Sequence, residues 1–272
     1  WKKTNEGITW DSPFGKGRPG WHTECVVMIN KIFGGKIDIH GGGIDLKFPH
    51  HENEMAQSKA AWNHKLANYW MHNGHVLVDG VKMSKSLGNF MLVRDLLDKY
   101  SSNVIRLGIL KTSYRLPFDF TDTLFAETKT IDEKVYNALK QANLVIQIDN
   151  IKVGLTKKDE KINEIMDEDF NTSNLITYLL ELVKDLNNRL RNKMDFVEVF
   201  DKINLINYIL GLKYDLVKLS EDDKKLYKDW LEYRNNKEFA KADELRKELD
   251  KIKHFNYLEQ IIEEYEKILK TQ

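Results

Sequence analysis

The spacing of hydrophobic residues changes near residue 101, and this change constrains the fold more than any other feature of the chain. Before it, short strand-like segments alternate with helical ones and are separated by glycine-rich breaks. Strands that alternate with helices are typical of an α/β fold. After it, five segments carry apolar residues at the spacing of a helix. The sequence therefore predicts an α/β part followed by an all-helical part.

The first part is predicted to alternate between helix and strand. Gly34 should end the first helix, the glycines at 41–43 should break the first strand, and Pro49 stands where the first turn of the second helix would begin. The predicted helices are residues 24–33, 49–62 and 90–100, the strands are residues 36–40 and 69–78, the turn is Asp79-Gly80, and the loop is 82–89.

The second part is predicted to be helical over residues 101–112, 121–148, 171–190, 199–212 and 220–272. In the third of these, Thr172 or Ser173 is expected to be the cap. Charges of both signs follow one another at short intervals after Glu221, which is typical of a solvated helix face. One buried face is predicted from Leu175, Ile176, Leu179, Leu180, Val183 and Leu186.

Composition excludes several classes of protein. The 42 basic and 42 acidic residues cancel, so a nucleic acid would have to bind a local basic patch rather than an overall positive field. A single cysteine cannot form an intramolecular disulfide, and there is neither an apolar run long enough to span a membrane nor a signal pattern. These features favour a cytoplasmic protein without a membrane partner.

Candidate metal ligands are concentrated between His22 and Asn89. This segment holds seven of the eight histidines and the only cysteine, Cys25. His50 and Glu54 are four residues apart in a predicted helix, so their side chains share one face, and Cys25 offers a thiolate. These three residues could converge on a metal. The alternative is that Cys25 is a small buried hydrophobe and His50 a satisfied polar residue.

Two hydrolase motifs are excluded. Met55 stands where a zinc protease of the His-Glu-x-x-His type has its second histidine. The run from His40 to Gly43 is similar to a lipase oxyanion loop, but the chain contains no Gly-x-Ser-x-Gly.

The pentapeptide Lys82-Met83-Ser84-Lys85-Ser86 predicts a phosphate-binding loop. Its two lysines directly follow a predicted turn, and mobile ammonium groups of this kind can stabilise a triphosphate while its charge moves. The alternative is a solvated turn without function.

This pentapeptide resembles the second signature of the class I aminoacyl-tRNA synthetases, and further runs closely resemble the cysteinyl-tRNA synthetase family. The resemblance is densest over residues 17–90 and looser through residues 169–172 and 239–246. The runs are Gly17-Arg18-Pro19-Gly20-Trp21-His22-Thr23-Glu24-Cys25, Asp38-Ile39-His40-Gly41-Gly42-Gly43, Phe48-Pro49-His50-His51-Glu52-Asn53-Glu54 and Tyr69-Trp70-Met71-His72.

The resemblance implies a zinc ion in the amino-acid pocket. Such an ion binds the thiolate of cysteine, and the hydroxyl of serine cannot reproduce that bond, so the two amino acids can be distinguished. Cys25, His50 and Glu54 would be three of the ligands. Trp21 would line the pocket, and His40 and His72 would belong to a histidine cluster at its floor. Lys85 would be the main cation on the phosphates of ATP, with Lys82 supporting it, and Mg²⁺ would accompany the ATP.

The implied fold is an α/β Rossmann-like catalytic half-domain followed by an all-α anticodon-binding helical bundle. The implied division is a catalytic part over 1–100 with the zinc ligands and the loop, a stem-contact connector over 101–130, the bundle over 131–220, and a charged helical segment over 221–272. The implied protein is a monomer whose partners are cysteine, ATP and tRNA(Cys).

The chain departs from the family pattern in three places. A fourth ligand, a cysteine, and a His-Ile-Gly-His type signature are both absent, so this segment alone is expected to be inactive. The family commonly ends in a short β-bearing segment with glycine and tryptophan, whereas residues 251–272 are predicted to be helix.

Two other functions stay open on the sequence. One is a related ligase that joins cysteine to an aminosugar through the same adenylate, although it would have no evident use for the helical bundle. The other is a non-catalytic tRNA-binding or zinc-stabilised module.

Overall fold

The computed structural model describes residues 1–154, 156, 158–249 and 254–255. Two compact units divide the chain. The first contains residues 1–90 and 114–120, and the second contains residues 91–113 and the chain from Thr121 onward. An α/β unit and a helical unit are thus both present, as predicted. The further division at residues 100, 130 and 220 stays a prediction.

The α/β unit is built from short strands and two main helices. Its elements are β1 (Lys2–Lys3), β2 (Gly17–Arg18), α1 (Trp21–Phe33), β3 (Ile37–Gly43), a 3₁₀ turn (Ile44–Leu46), a π-helical turn (Lys47–His51), α2 (Glu52–Trp62), β4 (Ala67–Asn73), β5 (Val76–Val78), β6 (Val81–Lys82) and β7 (Phe118–Phe120). Strands β3 and β4 pair in parallel, β5 pairs in parallel with β7, and β5 pairs antiparallel with β6.

The predicted break of the first strand at the glycines is wrong. Strand β3 continues through Gly43, which pairs with Asn73 of β4. Gly42 is needed for close packing instead, because a Cβ there would lie 2.8 Å from Cε1 of His51. A run of glycines that predicts a turn therefore lets a histidine pack against a strand.

Three other predicted bounds differ in this part of the chain. Helix α1 begins at Trp21, earlier than predicted. Helix α2 begins only at Glu52, because Pro49 lies in the preceding π-helical turn, but it ends at Trp62 as predicted. The predicted strand 69–78 is interrupted at Gly74, whose amide donates to the carbonyl of Tyr114, and the turn at Asp79-Gly80 is confirmed.

The helical unit contains the predicted helices in order, but the helix at Glu160–Asp167 was not predicted, and the described part of the predicted helix 220–272 is divided after Asn235. Its elements are α3 (Val93–Leu97), α4 (Ser102–Leu110), α5 (Asp122–Ile148), α6 (Glu160–Asp167), α7 (Thr172–Arg191), α8 (Val197–Leu210), β8 (Leu216–Val217), α9 (Glu221–Asn235), α10 (Phe239–Leu249) and β9 (His254–Phe255). Helix α3 is shorter than the predicted helix 90–100. None of the helices in the described ranges has the length and apolar character needed to cross a membrane.

The core of this unit lies between α5, α7 and α8. The predicted face of α7 is buried except at Leu180, which is half-buried. The predicted cap is wrong: Asn171 Oδ1 accepts from the amide of Asn174 at 3.1 Å, and Thr172 Oγ1 donates instead to the carbonyl of Leu110 at 2.7 Å. The side chain before the helix is therefore the one that satisfies a free amide of its first turn.

The predicted C-terminal helix is wrong at His254–Phe255. These two residues form β9, which pairs antiparallel with β8. The rest of the predicted helix after Leu249 lies outside the described residues.

Candidate metal centre and phosphate loop

Cys25, His50 and Glu54 converge in the α/β unit. Cys25 lies in the second turn of α1, His50 is the next-to-last residue of the π-helical turn, and Glu54 lies in the first turn of α2. Cys25 Sγ lies 3.8 Å from His50 Nε2, which lies 2.9 Å from Glu54 Oε1. One ligand atom from each residue lies within 4.8 Å of the others. The structure thus brings together the three residues that the sequence suggested as metal ligands.

Glu54 is fully buried, and its two carboxylate oxygens differ in their surroundings. Oε2 lies 2.7 Å from His40 Nε2, within hydrogen-bonding distance. Oε1 has no hydrogen-bond partner within the described part of the chain, although His50 Nε2 lies 2.9 Å from it. A buried polar atom without a partner is unfavourable by about 1–3 kcal/mol. This oxygen, an imidazole nitrogen and a thiol therefore fit a shared cation better than a shared proton.

The donor set is the chemical argument for zinc. One sulfur, one imidazole nitrogen and one carboxylate oxygen are all common zinc ligands, whereas calcium and magnesium prefer oxygen alone. Burial, reinforced by Glu54, raises the pKa of Cys25 to about 11. Without a cation the thiol is protonated at neutral pH, and a bound cation would favour the thiolate.

A histidine cluster lies beside the three residues and includes one member that the sequence reasoning missed. His51 Nδ1 lies 2.9 Å from His72 Nε2, and its ring centroid is 4.9 Å from that of His40 and 5.0 Å from that of Trp70. Its neighbour His50 was singled out in the same run, so the signal was present.

The imidazoles of His51 and His72 both favour the neutral form. Burial, opposed by Glu54 and reinforced by His40, lowers the pKa of His51. Burial and the positive charge of Lys47 lower the pKa of His72. Neutral imidazoles can accept as well as donate a proton, so this cluster can orient polar groups without adding charge.

Trp21 lies on the open side of the candidate metal ligands. Its ring centroid is 4.1 Å from that of His50, and its side chain is 60% exposed. The indole can therefore contact both His50 and a small molecule that enters from solvent.

The predicted phosphate loop follows the turn between β5 and β6. Asn89 fixes its shape, since its side chain accepts from the amide of Ser84 at 2.9 Å and donates to the carbonyl of Lys82 at 3.2 Å. Gly88 has a φ of +67°, and its amide donates to the carbonyl of Lys85 at 3.3 Å. The loop is therefore closed by its own hydrogen bonds.

The two loop lysines differ in their contacts. Lys82 Nζ lies 3.4 Å from Asp45 Oδ2 in an exposed ion pair, which contributes little to stability. Lys85 is exposed and has no ion pair within the described ranges. Both side chains are exposed, so both cations can reach an anionic ligand in solvent.

Two family models match the chain. Residues 1–130 match a family described as tRNA synthetases class I (C) catalytic domain, and residues 161–221 match the DALR domain. These matches fall in the α/β part and in the helical part, respectively.

Curated relatives carry the name cysteine–tRNA ligase. The one from Acholeplasma laidlawii is 44% identical over 251 residues, which cover 92% of this chain and 57% of that protein. The one from Staphylococcus aureus (strain MRSA252) is 42% identical over 262 residues, which cover 90% of this chain and 56% of that protein. The chain thus spans a little more than half the length of these relatives.

A solved structure supports the fold. The LeuRS–tRNA–LeuAMS ternary complex from Agrobacterium radiobacter K84 matches with a TM-score of 0.51 and 18% sequence identity. The match covers 64% of this chain and 25% of the LeuRS chain. At this identity the likeness bears on the fold alone. The two domain matches and the named relatives, which do show the family, lead to one conclusion: the chain belongs to the cysteinyl-tRNA synthetase family of the class I aminoacyl-tRNA synthetases.

Proposed function

We propose that the protein containing this chain is a cysteine–tRNA ligase that recognises cysteine at a zinc ion, activates it with ATP and transfers it to tRNA(Cys). The observation that carries this proposal is the convergence of Cys25, His50 and the buried Glu54, whose Oε1 has no hydrogen-bond partner among the described residues. The identity of 42–44% to proteins named cysteine–tRNA ligase supports it. Because the chain spans only part of those relatives, the activity is assigned to the whole protein.

Cys25, His50 and Glu54 would hold the zinc ion. When bound there, zinc supplies a coordination position that favours the thiolate of cysteine over the hydroxyl of serine. Shape alone separates two such similar side chains by only roughly 1–3 kcal/mol. His40 holds the second oxygen of Glu54, which fixes the carboxylate in place.

The substrate pocket is proposed to form around these ligands. Trp21 would line it, because its exposed ring packs against His50. His72 would act through its contact with His51, which keeps the imidazoles of the floor oriented. Neither histidine needs to carry a charge for this role.

The loop lysines would stabilise ATP during activation. The carboxylate of cysteine attacks the α-phosphorus, the bond to the β-phosphate oxygen breaks, and pyrophosphate leaves. Lys85 would contact the phosphates with Lys82 in support, and Mg²⁺ would accompany the ATP. A ribose hydroxyl of tRNA then attacks the carbonyl of the adenylate, and AMP leaves.

The helical unit is proposed to bind the tRNA. Its match to the DALR domain over residues 161–221 supports this role. We further propose that the enzyme works in the cytoplasm as a monomer.

The test is ATP–pyrophosphate exchange with the full-length protein. Exchange with cysteine but not with serine, lost with a zinc chelator and restored by added zinc, is the expected result. Exchange that is equal with serine would refute selection by a metal. The absence of exchange would refute amino-acid activation.

A further inference from the structure

A large groove lies within the helical unit, between α5, α7 and α9. Each helix contributes one face, because the lining positions on each follow the helical spacing, as Leu180, Lys184 and Arg191 do on α7. The groove has a volume of about 1310 Å³. This exceeds the roughly 300–1,000 Å³ that is usual for small-molecule sites, so its size suits a segment of polypeptide.

The groove combines apolar surface with positive charge. The half-buried aliphatic residues that line it on α5 and α7 include Leu144, Val145, Ile148, Leu180 and Leu190. The cationic lining residues are Lys134, Lys184, Arg191 and Arg234, and no acidic residue of the described ranges lines the groove. Covering apolar surface is favourable, and the basic residues favour an acidic partner. The groove therefore fits an amphipathic helix whose apolar face has acidic flanks.

Residues 256–272 of the same chain have this pattern in their sequence. Their apolar residues recur at the spacing of a helix and would form one stripe, which consists of Leu258, Ile261, Ile262, Tyr265, Ile268 and Leu269. In such a helix, Glu259, Glu264 and Glu266 would border the stripe, whereas Lys267 and Lys270 would lie on the far side. The segment thus offers an apolar face with acidic flanks.

The segment starts close to the groove. It directly follows β9, which pairs antiparallel with β8. The carbonyl of Val217 in β8 accepts from the side chains of Asn143 and Gln147 on α5, each at 2.7 Å. The residues that follow these two on α5, Leu144 and Ile148, line the groove. The chain that leaves β9 is therefore beside the groove from its first residues.

The lengths also agree. Helix α5 lines the groove from Lys134 to Ile148, which is roughly 21 Å along its axis. A helix from Leu258 to Leu269 would be roughly 17 Å long. The two residues before Leu258 are left to connect it with β9.

We propose that residues 256–272 dock in this groove as an amphipathic helix of the same chain. The apolar stripe lies against Leu144, Leu180 and Leu190, and the glutamates at its border lie near Lys184 and Arg191. This assigns a place to the segment in which the chain departs from the family pattern.

The first test measures how accessible the groove is in the full-length protein. Leu180→Cys places a thiol in the lining of the groove, and Lys228→Cys places a thiol at an exposed position of α9 outside it. The rate at which each new thiol reacts with N-ethylmaleimide is followed by mass spectrometry of the peptide that contains it.

Two matched pairs of substitutions in the segment are compared. Ile261→Ser with Ile268→Ser disrupts the apolar stripe, whereas Gln260→Ser with Lys267→Ser has the same spacing and lies off it. The stripe pair should raise the labelling rate of the thiol at position 180 at least about tenfold, because the docked segment opens more often. The matched pair should change this rate little. The thiol at position 228 should react equally fast in all backgrounds, which shows that the helical unit stays folded.

A cross-linker identifies the occupant in a protein whose segment is otherwise unchanged. A benzophenone amino acid replaces Tyr265, and isotopically light and heavy full-length protein are mixed before irradiation. Cross-links to peptides of α5, α7 or α9 within one chain are the expected result. Cross-links between light and heavy chains would assign the groove to a second copy and overturn the proposal.

Two further results would also overturn it. One is a labelling rate at position 180 that is the same in the wild-type segment and the stripe pair. The other is a rate that ignores the segment but falls when a tRNA(Cys) transcript is added, which would assign the groove to RNA. None of these measurements depends on catalysis, so their outcome is independent of the proposed function.

Discussion

Asp201→Asn should make the helical unit more stable at neutral pH. Asp201 lies in α8 and is only 7% exposed. Burial raises the pKa of its carboxyl to about 6, although a hydrogen bond from the backbone of Gly154 opposes this effect. The ionised carboxylate is therefore less stable in the folded protein than in the unfolded chain.

The sign and size of the effect follow from proton linkage. An aspartate in an unfolded chain has a pKa of about 3.9, so between about pH 4 and pH 6 the folded state binds more protons than the unfolded state. The free energy of unfolding falls over this range as pH rises, and the loss is complete above about pH 6. A difference of about two pH units corresponds to roughly 3 kcal/mol.

Asparagine cannot ionise, and its carbonyl can accept the same backbone hydrogen bond. The variant is therefore expected to be up to roughly 3 kcal/mol more stable than the wild type at about pH 7.5 and nearly equal to it at about pH 4. Urea denaturation across this range gives the difference, in which the other titrating groups cancel. Asp149→Asn, at an exposed position, is the control. A difference between wild type and Asp201→Asn that does not change with pH would refute the reasoning.

Three further predictions concern packing, the loop and a helix cap. Leu179→Ala should lower the free energy of unfolding by about 2–5 kcal/mol because Leu179 is fully buried. Leu231→Ala, at a position that is 40% exposed, should lower it much less, and equal effects of the two variants in urea denaturation would contradict the packing. Asn89→Ala removes both hydrogen bonds that close the phosphate loop, so it should raise the KM for ATP in pyrophosphate exchange without changing the KM for cysteine, and an unchanged KM for ATP would count against the loop. Ser220→Ala breaks the capping box of α9 and should lower the free energy of unfolding by about 1 kcal/mol, and an unaltered thermal midpoint would speak against the cap.

The long helices could be predicted from sequence because their signals are local. Helix α5 ends at Ile148, as its spacing predicted, and Thr121 caps it. The face of α7 was predicted for the same reason, since three-and-four spacing survives whatever the helix packs against. Only Leu180 departs from it, since this residue is half-buried and lines a groove between α5, α7 and α9.

The misses come from contacts between distant parts of the chain. Gly42 looks like a turn residue but makes room for His51, and Gly74 interrupts a strand because a Cβ there would lie 2.1 Å from the carbonyl oxygen of Leu116. His51 is nine residues from Gly42 and Leu116 is 42 residues from Gly74, so neither contact is visible in a local sequence pattern. The role of His51 was missed for the same reason, because its contact with His72 exists only when β4 lies beside the π-helical turn.

The candidate metal ligands were suggested by their chemistry, but their convergence could not be. His50 and Glu54 share one helical face by spacing alone. Cys25 reaches them from α1, and the unpaired oxygen of Glu54 is visible only in three dimensions.

The most direct test of the account is the zinc content of the full-length protein, measured by elemental analysis after extensive dialysis. The wild type and a His64→Gln control, whose imidazole lies outside the candidate metal ligands, should each retain zinc. Cys25→Ser and Glu54→Gln, which keep the size of the side chain, should lose most of it. If these two variants bind as much zinc as the wild type, Cys25, His50 and Glu54 are not the zinc site and the proposed basis of cysteine selection is wrong.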